Sequence, residues 1–200
     1  MSANHVGKSL KLVEAFLAAY PDIHVVLVLP RDQQDYWDAL CREYDFRVPV
    51  TIADGGNTRF HSVQHGLALI PDDGECIVGV HDGVRPFVSA EVIRRCYESA
   101  ASRGATVPVV PVVETLRQLA PDGSSQTADR SAYRVVQTPQ TFPLAMLRQA
   151  YAQHYEESFT DDASVAQRMG CPIYLVEGNR TNIKLTTPED IILAEAICRI

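Results

Sequence analysis

Five short apolar runs constrain the fold of this chain more than any other feature. Such uniformly apolar runs are typical of strands buried on both faces of a parallel sheet, because strands with one wet face alternate apolar and polar residues. The sequence therefore predicts a mostly parallel sheet. The five runs are His24–Pro30, Val48–Ala53, Glu75–His81, Ala105–Val113 and Pro172–Val176.

Amphipathic helical patterns separate these runs, for example Val92, Ile93, Cys96 and Ala100. Alternating strands and helices predict a three-layer, Rossmann-like α/β architecture. A chain of 200 residues buries one good core, so residues 1–200 are expected to form a single domain. We expect three residues to cap helices, with Pro188 at the first position of the last one. They are Asp32, Ser89 and Thr187.

The stretch 114–137 interrupts the alternation. Its centre, Pro121–Ser125, is a strong turn sequence between short polar segments that resemble strands. This pattern predicts a β-hairpin arm that leaves the domain. The alternative is a surface excursion without a role.

Composition excludes several classes of function. The net charge of −7 argues against a surface that coats nucleic acid, although a local nucleotide site is compatible with it. The sequence has neither an apolar run long enough to span a membrane nor a signal-peptide core, so we expect a cytoplasmic protein. The five cysteines are widely spaced, odd in number and form no CxxC pair, which predicts reduced thiols rather than a zinc site.

Two motifs that follow predicted strands are suited to bind a ligand. The segment Asp54–Val63 (DGGNTRFHSV) brings two glycines and then a basic residue to the start of a helix, although glycine pairs also serve as plain turns. The segment His81–Pro86 (HDGVRP) lies where an apolar strand ends, which is where open α/β sheets bind ligands. There Asp82 could hold Mg²⁺ and Arg85 could clamp a phosphate, or the two could simply close a turn.

Three further motifs are weaker when taken alone. Gln137–Phe142 (QTPQTF) has the character of a polar loop, and Phe159–Ser164 (FTDDAS) that of a capped helix start. In Gly178–Thr187, Lys184 lies in an apolar, strand-like stretch. A lysine there needs an anion or a carboxylate as its partner.

Together and in this order, the five motifs resemble the 2-C-methyl-D-erythritol 4-phosphate cytidylyltransferase family. The resemblance extends from Val13 to the C-terminus and includes DGGNTR, HDGVRPF, TPQTF, TDDAS and NIKLTTPED. It implies a nucleotidyltransferase that moves CMP from CTP to a phosphosugar alcohol with Mg²⁺ as cofactor. The substrate phosphate attacks the α-phosphorus and pyrophosphate leaves, without a protein nucleophile.

The resemblance also implies a role for individual residues. Asp82 would bind the metal and, with Lys184 and Arg130, act in catalysis. The arm would cross a two-fold axis and complete the partner's site, which makes the expected form a homodimer. The implied nucleotide contacts are Gly56, Asn57, Ser62, Asp82 and Gly83, and the implied phosphosugar contacts are Gly83, Arg85, Thr115, Arg130, Thr138, Thr160 and Lys184.

One part of the family pattern has no counterpart in residues 1–12. The family begins with a strand, a glycine-rich loop carrying an arginine, and a Pro–Lys pair. Gly7-Lys8-Ser9 echoes the end of a P-loop but lacks its first glycine and preceding strand. If the protein begins here, we expect activity lower by several orders of magnitude, because two cationic stabilisers of the leaving pyrophosphate are missing.

Two other functions stay open. A ribitol 5-phosphate cytidylyltransferase shares the HDxxRPF and TPQxF patterns, although Thr160–Ser164 favours the erythritol enzyme. A non-catalytic relative that binds a phosphosugar without turnover is the second alternative.

Overall fold

Helices and strands alternate through most of the chain, as the apolar runs predict. The computed structural model of the protein describes residues 6–71 and 74–199, with side chains from Leu10 onward. The helices are α1 (Val6–Ala19), α2 (Arg31–Glu43), α3 (Arg59–Ala68), α4 (Ala90–Arg103), α5 (Leu144–Tyr151), α6 (Asp162–Arg168) and α7 (Pro188–Ile197). The strands are β1 (Val26–Leu29), β2 (Thr51–Asp54), β3 (Ile77–Val80), β4 (Thr106–Pro111), β5 (Leu116–Leu119), β6 (Ser125–Ala128), β7 (Arg134–Val136), β8 (Gln140–Pro143) and β9 (Tyr174–Glu177).

These strands form two sheets and a separate hairpin. Strands β1 and β2 pair in parallel. A five-stranded sheet has the order β3-β8-β4-β7, with β9 parallel to β4. Strand β8 is antiparallel to both β3 and β4, and β7 is antiparallel to β4. The fold is therefore α/β with mixed sheets.

The prediction of a mostly parallel sheet is wrong because β8 lies antiparallel between β3 and β4 and its sequence does not look like a strand. Gln140 and Thr141 gave its sequence the character of a polar loop, yet both are almost fully buried. Their side chains are satisfied inside the protein: Gln140 Nε2 donates to Asp161 and Thr141 Oγ1 donates to the Cys96 carbonyl. Since β8 is antiparallel to β3 and β4, those two apolar strands run in the same direction.

Helices contact both faces of β8. Thr141 bonds the Cys96 carbonyl of α4 on one face, whereas its neighbour Phe142 is fully buried among Leu147 of α5 and Val165 of α6. Successive residues of a strand point to opposite faces, so α4 and the α5–α6 pair lie on opposite sides. A second cluster joins α1 to α4 through Phe16 and residues that include Val92.

Burial on both faces holds for β4 but not for β1 or β3, which are half-buried. Among residues 6–71 and 74–199, β1 pairs only with β2 and β3 only with β8, so each keeps one unpaired edge. Helix α3 bridges the two sheets. A side chain at Gly66 would meet Val28 of β1, and Leu67 packs in a cluster with Val78 of β3.

The predicted caps are partly correct. Ser89 Oγ accepts a bond from the Val92 amide at 3.2 Å, and Pro188 opens α7, where Asp190 accepts from the Thr187 amide at 2.8 Å. The Asp32 cap is wrong, because α2 already begins at Arg31. Asp32 lies instead in the first turn, where its charge favours the helix dipole.

Replacing Ser89 with alanine tests the α4 cap. We expect Ser89→Ala to lower the free energy of unfolding by about 1 kcal/mol, since the Val92 amide loses its acceptor. Urea denaturation measures this change. Ser102→Ala, in the last turn of the same helix, is the matched control and should have almost no effect. Equal losses in the two variants would contradict the cap.

The predicted turn at Pro121–Ser125 joins a real hairpin. Strands β5 and β6 pair in antiparallel fashion, and Asp122 Oδ1 accepts from the Ser124 amide at 2.9 Å. The hairpin makes up only part of the predicted arm, 114–137. The last part of that arm is β7, which pairs with β4 in the main sheet.

Two expectations about the rest of the chain can also be compared with the structure. Gly7, Lys8 and Ser9 lie within α1, so they do not form a phosphate-binding loop. In the described part of the chain, no helix is both long and apolar enough to cross a membrane.

Candidate active site

Asp82 is the centre of a cluster of charges just past the end of β3. Its Oδ2 lies 3.4 Å from both Arg85 Nε and Lys184 Nζ, and its Oδ1 lies 3.6 Å from Arg59 Nε. Burial disfavours the charged form of the carboxyl, but the three cations outweigh it and lower the pKa of Asp82. Asp82 is therefore an ionised carboxylate that faces an excess of positive charge.

His81 and Thr138 hold the backbone of the Asp82 turn. His81 Nε2 lies 2.9 Å from the Arg85 carbonyl, which can only accept, so this nitrogen carries the proton. Thr138 Oγ1 then donates to His81 Nδ1 and accepts from the Asp82 amide, both at 3.1 Å. Burial lowers the pKa of His81 to about 4, which keeps the ring neutral at physiological pH.

The Thr138 hydroxyl therefore makes its hydrogen bonds within the protein. The resemblance implied a substrate contact, but this side chain is buried and its hydroxyl has two protein partners. The reason is the register of β3 with β8, in which Val80 lies opposite Gln140. That register brings Thr138 beside the Asp82 amide.

Arg59 connects the glycine loop (residues 55–58, between β2 and α3) to α6. Its Nη1 and Nη2 donate to the two oxygens of Asp162 at 3.0 and 2.6 Å. Asp162 is fully buried and also accepts from the Tyr151 hydroxyl at 2.6 Å. Burial disfavours the charged guanidinium, but the Asp162 carboxylate outweighs it and raises the pKa of Arg59.

The start of α6 is fixed by Gln140. Asp161 caps the helix by accepting from the Ser164 amide at 2.8 Å, as the sequence predicts. Gln140 Nε2 donates to Asp161 at 2.8 Å, and Gln140 Oε1 accepts from the Ala163 amide at 2.7 Å. Thr160 lies exposed immediately before this anchored cap.

Hydrogen bonds from Ser62 stabilise the glycine loop. Ser62 Oγ accepts from the Gly56 amide and donates to the Thr58 carbonyl, each at 3.0 Å. A Cβ on Gly56 would lie 2.5 Å from His61 Cβ, so only glycine fits. Asn57, the next residue, is exposed.

Lys184 and Arg85 belong to two adjoining loops. The Leu185 amide donates to the Val84 carbonyl at 2.9 Å, which brings Lys184 to Asp82. The segment around Lys184 is not a strand, but the lysine has the carboxylate partner that the sequence predicts, which is Asp82. Arg85 also donates to the Asn182 carbonyl at 3.0 Å and pairs with Asp82, so it closes the turn that the sequence left as the alternative.

The structure brings most, but not all, of the predicted residues together. Gly83 adjoins Asp82 and is exposed, with no atom within 4 Å of the position of a Cβ. Thr115 and Arg130 lie by the hairpin, outside this cluster, and Arg130 donates to the Val113 carbonyl of its own chain. Sequence reasoning assigned no role to Arg59, Asp162, Tyr151 or Gln140. The Asp161–Asp162 pair carried a signal, because only one of two successive aspartates can be the N-cap.

The family assignment follows from comparison with known proteins. Residues 9–200 match the profile of "IspD: 2-C-methyl-D-erythritol 4-phosphate cytidylyltransferase". The chain belongs to the IspD family. It is therefore a cytidylyltransferase, and the charged cluster around Asp82 lies on an IspD fold.

Two curated relatives show a higher and a lower sequence identity to this chain. The 2-C-methyl-D-erythritol 4-phosphate cytidylyltransferase of Bacteroides thetaiotaomicron is 55% identical over 185 residues, which cover 92% of this chain and 83% of the relative. The enzyme of the same name from Bacillus velezensis is 38% identical, and the match covers 94% of this chain and 81% of that one.

Solved IspD structures have the same fold. The cytidylyltransferase from Thermus thermophilus superposes with a TM-score of 0.73 at 36% identity, covering 94% of this chain and 89% of that one. The 4-diphosphocytidyl-2C-methyl-D-erythritol synthase from Anaerococcus prevotii has a TM-score of 0.85 at 24% identity, with coverage of 96% and 86%. The second likeness supports the fold alone.

Proposed function

We propose that this cytidylyltransferase transfers CMP from CTP to 2-C-methyl-D-erythritol 4-phosphate and releases pyrophosphate, in the non-mevalonate route to isoprenoid precursors. The observation that carries the proposal is the Asp82 cluster within an IspD fold. Arg59, Arg85 and Lys184 outnumber the two carboxylates that they contact, Asp82 and Asp162, in a chain whose net charge is −7. A local excess of cations is what a site for phosphates requires.

In this proposal the side chains position the reactants and stabilise charge. Lys184 is about half exposed, so it can turn from Asp82 to a phosphate oxygen. Arg85 is held by the Asn182 and Val136 carbonyls, but it retains N–H groups that can donate to a phosphate from where it lies. The glycine loop and Ser62 at the start of α3 face the nucleotide, and Thr160 at the anchored start of α6 faces the phosphosugar. The substrate phosphate is itself the nucleophile, so no protein side chain has to form a covalent bond.

Asp82 is the residue that would hold Mg²⁺. The described residues contain no group of three His, Cys, Asp or Glu side chains that could hold a metal. Mg²⁺ nevertheless fits a site with one carboxylate, because it usually keeps several waters and binds substrate phosphates. When bound, the ion would neutralise charge on the phosphates. Asp162 is committed to Arg59 and Tyr151, which leaves Asp82 as the protein ligand.

A homodimer with exchanged arms is part of the proposal. Arg130 is exposed and has no contact with the Asp82 cluster among the described residues. Large apolar side chains are exposed at the base of the hairpin, as expected of a surface that a second copy covers. They are Val113, Tyr133, Val135 and Val136. None of the described cysteines forms a disulfide, which suits a cytoplasmic location.

Mixing two inactive variants tests the exchange of arms. We expect Lys184→Ala and Arg130→Ala each to be nearly inactive alone. After subunit exchange, half of the dimers are hybrids with one intact site, so about a quarter of the wild-type activity should return. CTP turnover measures the recovery. A mixture that stays inactive although hybrids form would contradict the exchange, but not the CMP-transfer reaction.

A side-by-side assay tests the substrate. We expect the wild-type protein to prefer 2-C-methyl-D-erythritol 4-phosphate to ribitol 5-phosphate when pyrophosphate release is measured with CTP. Preference for the ribitol compound would favour the alternative enzyme. Calorimetry that detects phosphosugar binding without CTP binding would favour the non-catalytic relative.

A further inference from the structure

Within the described part of the chain, only one of the three cations around Asp82 is also fixed by another carboxylate. Lys184 and Arg85 meet Oδ2 of Asp82, whereas Arg59 meets Oδ1 and binds Asp162 with both of its terminal nitrogens. We propose that Arg59 is a positioning residue, which holds the Asp82 carboxylate in its reactive orientation. This inference rests on the CMP-transfer function proposed above.

Asp162 anchors Arg59 firmly. It is fully buried, receives the Tyr151 hydroxyl, and is the first residue of α6, next to the cap that Gln140 holds. Taking Arg59 away would leave a buried carboxylate without its counter-charge, which is costly. Arg59 therefore stays in place, whereas Lys184 is about half exposed and can move. Arg85 is held as well, but by the Asn182 and Val136 carbonyls rather than by a second carboxylate.

The two oxygens of Asp82 therefore have different roles. When Lys184 turns to a phosphate oxygen, Oδ2 loses one of its two partners. Arg59 remains 3.6 Å from Oδ1 and prevents the carboxylate from rotating. A carboxylate held by one oxygen is preorganised, so the reaction does not have to orient it.

The same contact joins both substrate sides of the site. Arg59 begins α3, directly after the glycine loop, and Asp162 follows Thr160 by two residues. The bidentate bond spans 103 positions in the sequence. Arg59 therefore fixes the nucleotide loop, the phosphosugar loop and Asp82 relative to one another.

Two variants separate positioning from a purely structural role. Arg59→Lys keeps the charge but cannot make two parallel bonds to Asp162 and also reach Asp82. The double variant Arg59→Met with Asp162→Asn removes both charges, so no buried carboxylate is left unpaired. Arg47→Met, which breaks an exposed pair with Asp45, is the matched control.

We expect kcat to fall about 10- to 100-fold in the double variant, with little change in either KM or in thermal midpoint. Arg59→Lys should retain more activity than the double variant, and Arg47→Met should match the wild type. An unchanged kcat in the folded double variant would overturn the inference. A raised phosphosugar KM at constant kcat would also overturn it, because Arg59 would then be a substrate ligand.

A structural readout keeps this test independent of the proposed function. In a ligand-free crystal structure of the double variant, we expect the Asp82 carboxylate to rotate away from its wild-type orientation. An unmoved carboxylate would overturn the inference even if the wild-type protein did not turn over CTP. An inactive wild type with a rotated Asp82 in the variant would instead contradict the CMP-transfer function and leave the positioning role supported.

Discussion

Asp82→Asn is expected to lower kcat/KM for CMP transfer by about 100- to 1,000-fold, the scale on which removal of a key electrostatic contact acts. The asparagine preserves the shape of the side chain but removes the charge that faces Arg59, Arg85 and Lys184. Of the two carboxylates in the cluster, Asp82 is the one that is not bound to both Arg59 and Tyr151, so its loss removes the proposed metal ligand. Steady-state release of pyrophosphate from CTP measures the loss.

Binding of an anion without metal distinguishes a catalytic role of Asp82 from a scaffolding role. The Asp82 charge repels an incoming phosphate, so Asp82→Asn should bind inorganic pyrophosphate at least as tightly as the wild type in a chelator. Calorimetry measures this affinity. Loss of pyrophosphate binding together with activity would show that the variant has disordered the site. Asp45→Asn, on an exposed ion pair, is the control and should change neither activity nor binding.

The position of Asp82 was predictable, because it follows an apolar strand and such strand ends collect ligands. Strands β3, β4 and β9 run in one direction, as the apolar runs predict, and the turn of the hairpin is also confirmed. What failed was β8, a buried strand whose polar residues are satisfied by tertiary partners. The local sequence pattern does not reveal those partners, so Gln140 and Thr141 resemble loop residues.

The contact between Arg59 and Asp162 could not be predicted from the sequence for the same reason. Arg59 and Asp162 are far apart in the sequence, and each is compatible with an ordinary solvated position. Only the packing of α3 against α5 and α6 makes them partners. The same holds for Thr138, whose hydroxyl bonds the Asp82 amide and His81, two contacts that its motif alone does not reveal.

The glycine loop depends on close packing in a way that a single methyl group can test. Gly56→Ala would place its Cβ 2.5 Å from His61 Cβ, 2.8 Å from the His61 carbonyl carbon and 2.9 Å from the Ser62 amide nitrogen. Two of these atoms are backbone in the first turn of α3, so rotation of a side chain cannot relieve the overlap. The loop and the helix must separate, which also breaks the bond from the Gly56 amide to Ser62 Oγ.

We expect Gly56→Ala to lower kcat/KM for CTP about 100-fold, because a displacement of about 1 Å from productive geometry costs that much. The thermal midpoint should fall as well, since an overpacked contact strains the fold. Gly83→Ala is the matched comparison. A Cβ at Gly83 meets no atom within 4 Å, so its thermal midpoint should equal that of the wild type. Any loss of activity in Gly83→Ala would then report a ligand that approaches this residue, whereas an undiminished CTP reaction in Gly56→Ala would exclude the loop from the nucleotide site.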